Sequence, residues 1–179
     1  DLDPTLMLRV LDDAARRTAV ELAEDPEGRL AVELVIAESY TGIGQPRKAI
    51  PQLQAAREQV NARFGSDSHE ALLVAQRLGT ALVDAGQYAE SEAVLREAIN
   101  VASRDPRRAG PTLEADLRSR LSWTLRQRSQ MEEATVQAQR AYDTLKARVP
   151  ENHPQLLDAG LRLSILLSDA GKYDEAIAL

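Results

Sequence analysis

The sequence contains no cysteine among its 179 residues. This absence excludes a disulfide framework, a thiolate zinc site and a cysteine nucleophile, but it leaves the compartment open. Aromatic residues make up only 3% of the chain, and alanine and leucine dominate its apolar residues. Such a composition favours closely packed helices over strands, in which aromatic and β-branched residues are enriched. We therefore expect an all-α protein.

Long apolar runs are also lacking, because no stretch approaches the ~18 apolar residues that a membrane-spanning helix needs. The chain opens with Asp-Leu-Asp rather than with a basic and apolar leader. We expect no membrane insertion and a cytoplasmic location, with an extracytoplasmic (periplasmic) part of a membrane-anchored protein as the alternative. The absence of an initial Met and an apparently helical C-terminus predict a fragment of a longer protein.

An internal repeat is the strongest feature that is present. Four similar segments begin at Ile36, Leu78, Leu121 and Leu163, at spacings of 42, 43 and 42 residues. Each holds a small residue, then a turn residue seven places later, then a second small residue. The small residues are Ala37, Gly79, Ser122 and Ser164; the turn residues are Gly44, Gly86, Ser129 and Gly171; the second small residues are Ala49, Ser91, Ala134 and Ala176.

This repeated pattern of small residues and turn residues predicts antiparallel helical hairpins. Small side chains allow two helices to cross closely, and a glycine after a helix end adopts a left-handed backbone at little cost. Apolar residues on both sides of the turn keep the i, i+3, i+4, i+7 spacing of helices. The predicted helices lie near residues 4–24, 28–43, 46–63, 69–85, 88–103, 112–128, 131–147 and 155–170, with a stub from 173.

With these residues the chain resembles the tetratricopeptide repeat family, in its 42-residue form typified by kinesin light chain. Further marks are Tyr88 and Tyr173, two residues after the turn glycine, and the phrase HPQLLDAGLRLS from His153. The resemblance covers about residues 26–179. It implies an α-solenoid, a superhelix of antiparallel hairpins.

We predict a single domain, 1–179, with about four repeats and a leading helix. Its parts are a leading half-repeat at 1–25, repeats at 26–67, 68–109 and 110–152, and a truncated repeat at 153–179. The segment LRVLDDAARRTAVELAEDPEGRLAVEL at residues 8–34, followed by the repeats, also resembles a region of bacterial serine/threonine kinases and transcriptional regulators. In those proteins the region follows the catalytic or DNA-binding module. That resemblance implies a sensory or regulatory part of a bacterial signalling protein.

Residues that could carry chemistry are scarce. The G-x-G at 42–44 lacks the third glycine and the lysine of nucleotide-binding loops. The two histidines, His69 and His153, lie on linkers and are interpreted as helix-entry residues, and the neighbouring acid pairs at 12–13 and 132–133 as solvated charges. We expect no enzyme, no cofactor and no metal site in this chain. An accessory domain of an enzyme such as a protein kinase is an alternative.

The first helix of each hairpin carries the candidate binding residues, because in the tetratricopeptide superhelix these helices line the concave groove where peptides bind. Arg77, Arg120 and Arg162 recur at the same place in three repeats. Guanidinium groups there would suit carboxylates or phosphates. Alternatively, Asp116 and Asp158, four residues earlier, pair locally with Arg120 and Arg162, whereas Arg77 has no such neighbour. The full predicted groove is Glu38, Gln76, Arg77, Thr80, Arg120, Trp123, Arg126 and Arg162.

Partner classes follow from charge and exposure. Residues 104–128 carry a net charge of +4 within a chain of −6, which is too short a basic stretch to predict nucleic-acid binding. A half-exposed Trp123 beside arginine is a candidate peptide contact, with packing against the next hairpin as its alternative. We expect a protein or peptide ligand, acidic or phosphorylated. The alternative is a homodimer through exposed Ile165, Leu166 and Leu167.

Overall fold

A computed structural model describes residues 4–110 and 112–179 of the chain. Residues 1–3, with which the predicted leading half-repeat begins, lie outside the described residues. The elements found in the described part are all helices, which confirms the predicted all-α class. They are α1 (Pro4–Glu21), α2 (Pro26–Gly42), α3 (Pro46–Phe64), α4 (His69–Asp84), α5 (Tyr88–Arg104), α6 (Pro106–Ala109), α7 (Leu113–Gln127), α8 (Met131–Lys146), α9 (Pro154–Asp169) and α10 (Tyr173–Ile177).

The short helix α6 is the element that the sequence interpretation omitted. It spans four residues, and the Asp105 carboxylate caps it by accepting a hydrogen bond from the Arg107 N–H at 3.2 Å. An aspartate followed by proline at the first helical position is a recognised start signal. The amphipathic period that predicted the other helices is not visible over so short a stretch.

The two histidines, His69 and His153, occupy different positions at the starts of their helices. The His153 side chain caps α9, its Nδ1 accepting a hydrogen bond from the Gln155 N–H at 3.3 Å. In α4 the cap is Ser68, whose hydroxyl accepts from the Ala71 N–H at 3.1 Å, and His69 is the first helical residue. The interpretation of His153 as a helix-entry residue is therefore confirmed.

The four predicted turns all adopt the left-handed backbone. The φ angles are 72° at Gly44, 79° at Gly86, 74° at Gly171 and 60° at Ser129. Serine reaches this conformation at a cost, because its Cβ crowds the following carbonyl group. The turn at Ser129 therefore keeps the geometry of the other three while storing backbone strain.

Substituting Ser129→Gly is expected to raise the free energy of unfolding by about 0.5–1 kcal/mol, since glycine removes the left-handed penalty. Urea denaturation followed by circular dichroism measures the change. Gly86→Ser, which makes the converse change in an equivalent turn, is expected to destabilise by a similar amount. Loss of stability in Ser129→Gly would show that the serine side chain contributes more to this turn than its strain costs.

The chain folds as two compact units, Asp1–Gly86 and Gln87–Leu179. The boundary falls in the turn at Gly86, inside the predicted repeat 68–109. In the first unit α2 packs against α3, and α3 against α4. The predicted small residues Ala37 and Ala49 are buried there at 1% and 0% exposure, beside Leu53. The small residues of this unit are thus buried where its helices pack, and close helix crossings at them stay a prediction.

The leading helix α1 is attached to the first unit through Asp12. The Asp12 carboxylate accepts hydrogen bonds from Tyr40 Oη at 2.8 Å and from Lys48 Nζ at 2.6 Å. The bond from Lys48, followed by that from Tyr40, lowers the pKa of Asp12 below its usual value. Asp12 is therefore an anchor for α1, and the interpretation of it as a solvated charge was wrong. Its two partners lie 28 and 36 residues further along the chain, beyond the reach of a local charge pattern.

In the second unit, α5 packs against α7, α7 against α8, α8 against α9 and α9 against α10. Ser122 and Ala134 are fully buried, and the buried hydroxyl groups of Ser91 and Thr124 lie 3.2 Å apart between α5 and α7. Leu166 and Leu167 are buried at 1% and 4% exposure, so the expectation that they are exposed was wrong.

An ion-pair network joins α5 to α8 in this unit. Arg96 donates to both oxygens of the Glu133 carboxylate at 2.7 Å and to Glu92 at 2.8 Å. Arg128 also pairs with Glu92. The hydrogen bonds from Arg96 hold the pKa of Glu133 below its ordinary value of 4.5. Glu133 is therefore bound within the fold, unlike the solvated charge predicted for it.

Glu133→Gln is expected to lower stability at pH 7 by about 1 kcal/mol or less, because both partners are partly exposed and water screens their attraction. A depressed carboxyl pKa stabilises the fold above the unfolded value, and this contribution disappears as pH falls through the folded value. The difference in melting temperature between wild type and Glu133→Gln should thus shrink below about pH 4.5. Glu132→Gln, on the neighbouring exposed residue, is the control; a pH-independent difference for Glu133→Gln would contradict the assignment.

Candidate functional site

Helix α7 places one indole ring at the surface of the second unit. One buried stripe of this helix consists of Leu117, Leu121 and Leu125, four residues apart and at most 1% exposed, and Ser122 and Thr124 are buried as well. Since residues three and four apart share a helix face, this stripe fixes the rotation of α7. Trp123 falls outside the stripe and is half-buried. Trp123 therefore lies outside the fully buried core of the hairpin, and its predicted contact with a peptide stays a prediction.

Two guanidinium groups lie over the Trp123 ring. The Cζ atom of Arg126, on the same helix, is 5.0 Å from the ring centroid, and that of Arg162, on α9, is 5.5 Å from it. Both distances are within the range in which a cation is attracted to the electron-rich face of an aromatic ring. The structure thus brings together three predicted site residues from two neighbouring helices.

Each arginine of this surface also has a carboxylate partner. Nε of Arg120 donates to Asp116 at 2.7 Å, and Nε of Arg162 donates to Asp158 at 2.8 Å. These contacts confirm the predicted local pairs. Arg126 donates through Nε to Asp169 on α9 at 2.7 Å, a pair that the sequence interpretation missed. The 43-residue separation, close to the repeat length of 42 residues at this point, is the only signal that could have indicated it.

The remaining predicted site residues lie in the first unit. Arg77 on α4 pairs with Glu38 on α2 at 3.0 Å, so its partner comes from the preceding hairpin. Thr80 donates its hydroxyl hydrogen to the backbone carbonyl of Gln76 at 3.0 Å. The expectation that Arg77 lacks a helical partner four residues away is correct, but the residue is nevertheless ion-paired. The proposal that all eight residues line one groove stays a prediction.

The described residues include neither a side-chain cluster that could hold a metal ion nor a membrane-spanning helix. Residues 4–110 and 112–179 contain no group of three His, Asp or Glu side chains placed to hold a metal ion. Over the same ranges, no helix is both long and apolar enough to cross a membrane. The absence of a cofactor and of enzymatic activity stays a prediction.

Helical hairpins that pack on their neighbours, with left-handed turns at spacings of 42 and 43 residues, define this chain as an all-α helical repeat protein. Residues 29–104 match the family model of the tetratricopeptide repeat. This match, over less than half of the chain, supports the family predicted from the sequence. No curated protein matches the chain in sequence.

Solved structures extend the likeness in fold to nearly the whole chain. Nearly identical TPR-like repeats of a Podosopora anserina protein assigned as kinesin light chain superpose with a TM-score of 0.73 at 18% identity, covering 96% of this chain and 82% of that one. BtubC (BKLC) from P. vanneervenii superposes with a TM-score of 0.75 at 16% identity, covering 95% of this chain and 67% of that one. A Rap protein complexed with Competence and Sporulation Factor superposes with a TM-score of 0.74 at 16% identity, covering 98% of this chain and 47% of that one. The predicted α-solenoid class is thereby confirmed.

Proposed function

We propose that this chain is a protein-recognition module and that it binds a peptide or partner segment at the surface formed by Trp123, Arg126 and Arg162. The observation that carries the proposal is the half-buried indole with a guanidinium group from each of two helices over its ring. Tryptophan and arginine are the residues most enriched among those that dominate binding energy at protein interfaces. An aromatic ring and arginine forks also offer both apolar contact and directed hydrogen bonds to one ligand.

The likeness to other repeat proteins supports this class of function. One structural neighbour, a Rap protein, was solved in complex with Competence and Sporulation Factor. We extend this binding surface in the second unit to the predicted residue Arg120. Further candidate contacts, considered separately in the first unit, are the predicted residues Glu38, Gln76, Arg77 and Thr80. In this proposal the ligand is an acidic or phosphorylated segment or a partner helix, and the chain is the regulatory part of a cytoplasmic bacterial signalling protein. A periplasmic location and an accessory role beside a kinase are the alternatives.

Trp123→Ala is expected to abolish binding of peptides selected against the wild-type chain from a phage-displayed random library. The loss should be at least about 2 kcal/mol, or roughly 30-fold in affinity, because the substitution removes both the ring and its cation contacts. Isothermal titration calorimetry with synthetic copies of the selected peptides measures it.

Val136→Ala is the matched control, since Val136 is an exposed apolar residue on α8, a helix that carries none of the proposed binding residues. It should leave affinity unchanged, and both variants should keep the wild-type circular dichroism spectrum. Selected peptides that bind Trp123→Ala as tightly as wild type would place the recognition surface elsewhere.

Self-association is the second candidate, and a specific surface favours it. Leu157 and Leu161 on α9 are 59% and 61% exposed. The residues at their repeat positions on α7, Ala115 and Ser119, are buried at 1% and 3%. The exposed leucines line a groove of about 500 Å³ together with Tyr142 and residues of α10. Sedimentation velocity over a range of concentrations, with Leu161→Glu as the disrupting variant, tests this candidate.

A further inference from the structure

An apolar groove of about 720 Å³ lies at the end of the first hairpin that is opposite its turn at Gly44. The first half of α2 and the last turns of α3 form its walls, which include Leu30, Leu34 and Phe64. The two leucines pack against the buried cluster that contains Val60 and are only half-buried, while Phe64 is 46% exposed. An apolar groove that stays open to solvent in a folded chain is typical of a binding site.

This groove is a feature of the first hairpin rather than of every repeat. At the repeat positions of Leu30 and Leu34, α7 has Ala115 and Ser119, which are 1% and 3% exposed. Because small residues suffice for packing at these positions on α7, packing alone does not account for the two leucines on α2.

The length of the groove indicates the shape of what it holds. Its lining residues Pro26 and Leu34 are eight positions apart on α2, which corresponds to about 12 Å along the helix axis. Two side chains one turn apart on a bound helix are separated by about 6 Å along its axis, so the groove accommodates two of them. Amphipathic helices bind apolar grooves through anchoring side chains with this i, i+4 spacing.

The chain that contains and borders the walls is acidic. Residues 21–30 and 57–70 hold seven acidic residues and three arginines, a net charge of −4 with histidine counted as neutral. One of these arginines, Arg63, is already paired with Glu27 on the opposite wall. These two segments, which we call the acidic rim, therefore attract a positively charged partner to the groove.

We propose that this groove is a second docking site, which takes a basic amphipathic helix of a partner protein through two apolar side chains one turn apart. The apolar walls bury the two side chains, and the acidic rim selects the lysines or arginines that flank them. The site goes beyond the peptide recognition proposed above, because it lies in the first unit and selects a ligand of the opposite charge.

Fluorescence anisotropy of dye-labelled peptides tests the site. The probe is the capped peptide Ala-Lys-Ala-Leu-Lys-Lys-Ala-Leu-Lys-Lys-Ala, which has two leucines four residues apart. One comparison peptide has alanine in place of both leucines, and the other has glutamate in place of every lysine. We expect saturable binding of the probe and at least about tenfold weaker binding of each comparison peptide. If either comparison peptide binds as tightly as the probe, the groove or the acidic rim has no part in binding and the proposal is overturned.

Ala62→Arg is expected to weaken binding of the probe about tenfold or more. Ala62 is an exposed residue of the groove wall, and an arginine there adds both bulk and positive charge. Ala89→Arg makes the same change at an exposed position on α5 and is the matched control. Circular dichroism of both variants checks that the fold is kept, and equal weakening by the two would reduce the effect to net charge and overturn the site.

Trp123→Ala separates this site from the surface of the proposed function. The probe should bind this variant as tightly as it binds the wild-type chain, because the groove lies in the first unit. Loss of probe binding in Trp123→Ala would place the probe at Trp123 and overturn the second site. Absence of saturable binding to the wild-type chain would overturn it as well, while recognition of library-selected peptides through Trp123 would stand or fall on its own test.

Discussion

Leu121→Ala is expected to lower the free energy of unfolding by about 3 kcal/mol, the size typical of deleting a buried leucine side chain. Leu121 begins the third repeat segment and is 1% exposed between its neighbours on α7. Removing three carbon atoms there leaves a cavity that close-packed helices fill only in part. In a repeat protein stability comes from contacts between neighbouring elements, so the loss weakens the second unit directly.

Leu157→Ala provides the control for this prediction, because it deletes the same atoms from a leucine that is mostly exposed on α9. Its effect should stay within about 0.5 kcal/mol, as for most surface substitutions. Urea denaturation of both variants, followed by circular dichroism at 222 nm at one low protein concentration, measures the difference. Similar losses in the two variants would mean that burial of Leu121 does not determine the stability of this repeat.

The repeat ladder made the fold predictable because each of its positions has a local physical requirement. A helix crossing requires a small residue, and a left-handed turn after a helix end favours glycine. Both requirements are visible in the sequence itself. Ser129 illustrates the strength of the pattern, since its φ of 60° follows the repeat although serine is a poor residue for that conformation. The four-residue helix α6 was not predicted, because it has too few residues to show the periodic spacing of apolar residues that indicates a helix.

The candidate site was predictable only as far as its contacts lie within one helix. The pairs of Arg120 with Asp116 and of Arg162 with Asp158 follow from a spacing of four residues. The pairs of Arg126 with Asp169 and of Arg77 with Glu38 join different helices. Such pairs depend on how each helix is rotated and shifted against its neighbour, which packing determines and no local pattern records.

The same reasoning accounts for the charges that were misinterpreted. Asp12 and Glu133 each stand beside another acidic residue, and the sequence alone gives no reason to distinguish the two members of either pair. The structure turns Asp12 towards Lys48 and Glu133 towards Arg96, while their neighbours face other directions. Consecutive helical residues point about 100° apart, so only one member of each pair can meet a given partner helix.

Ser122→Leu is expected to destabilise the fold by about 3 kcal/mol, through overpacking rather than through a cavity. Ser122 is fully buried, and its hydroxyl donates to the Ser119 carbonyl oxygen at 2.7 Å. A leucine there must push α7 away from its neighbours and also loses this hydrogen bond.

Ser164→Leu makes the same change one repeat later, where the serine is half-buried and lines the groove of about 500 Å³ beside α10. That groove gives the larger side chain room, so we expect a loss below about 1 kcal/mol in thermal or urea denaturation. Equal losses at the two positions would show that the register alone, independent of the local packing around each residue, requires a small side chain.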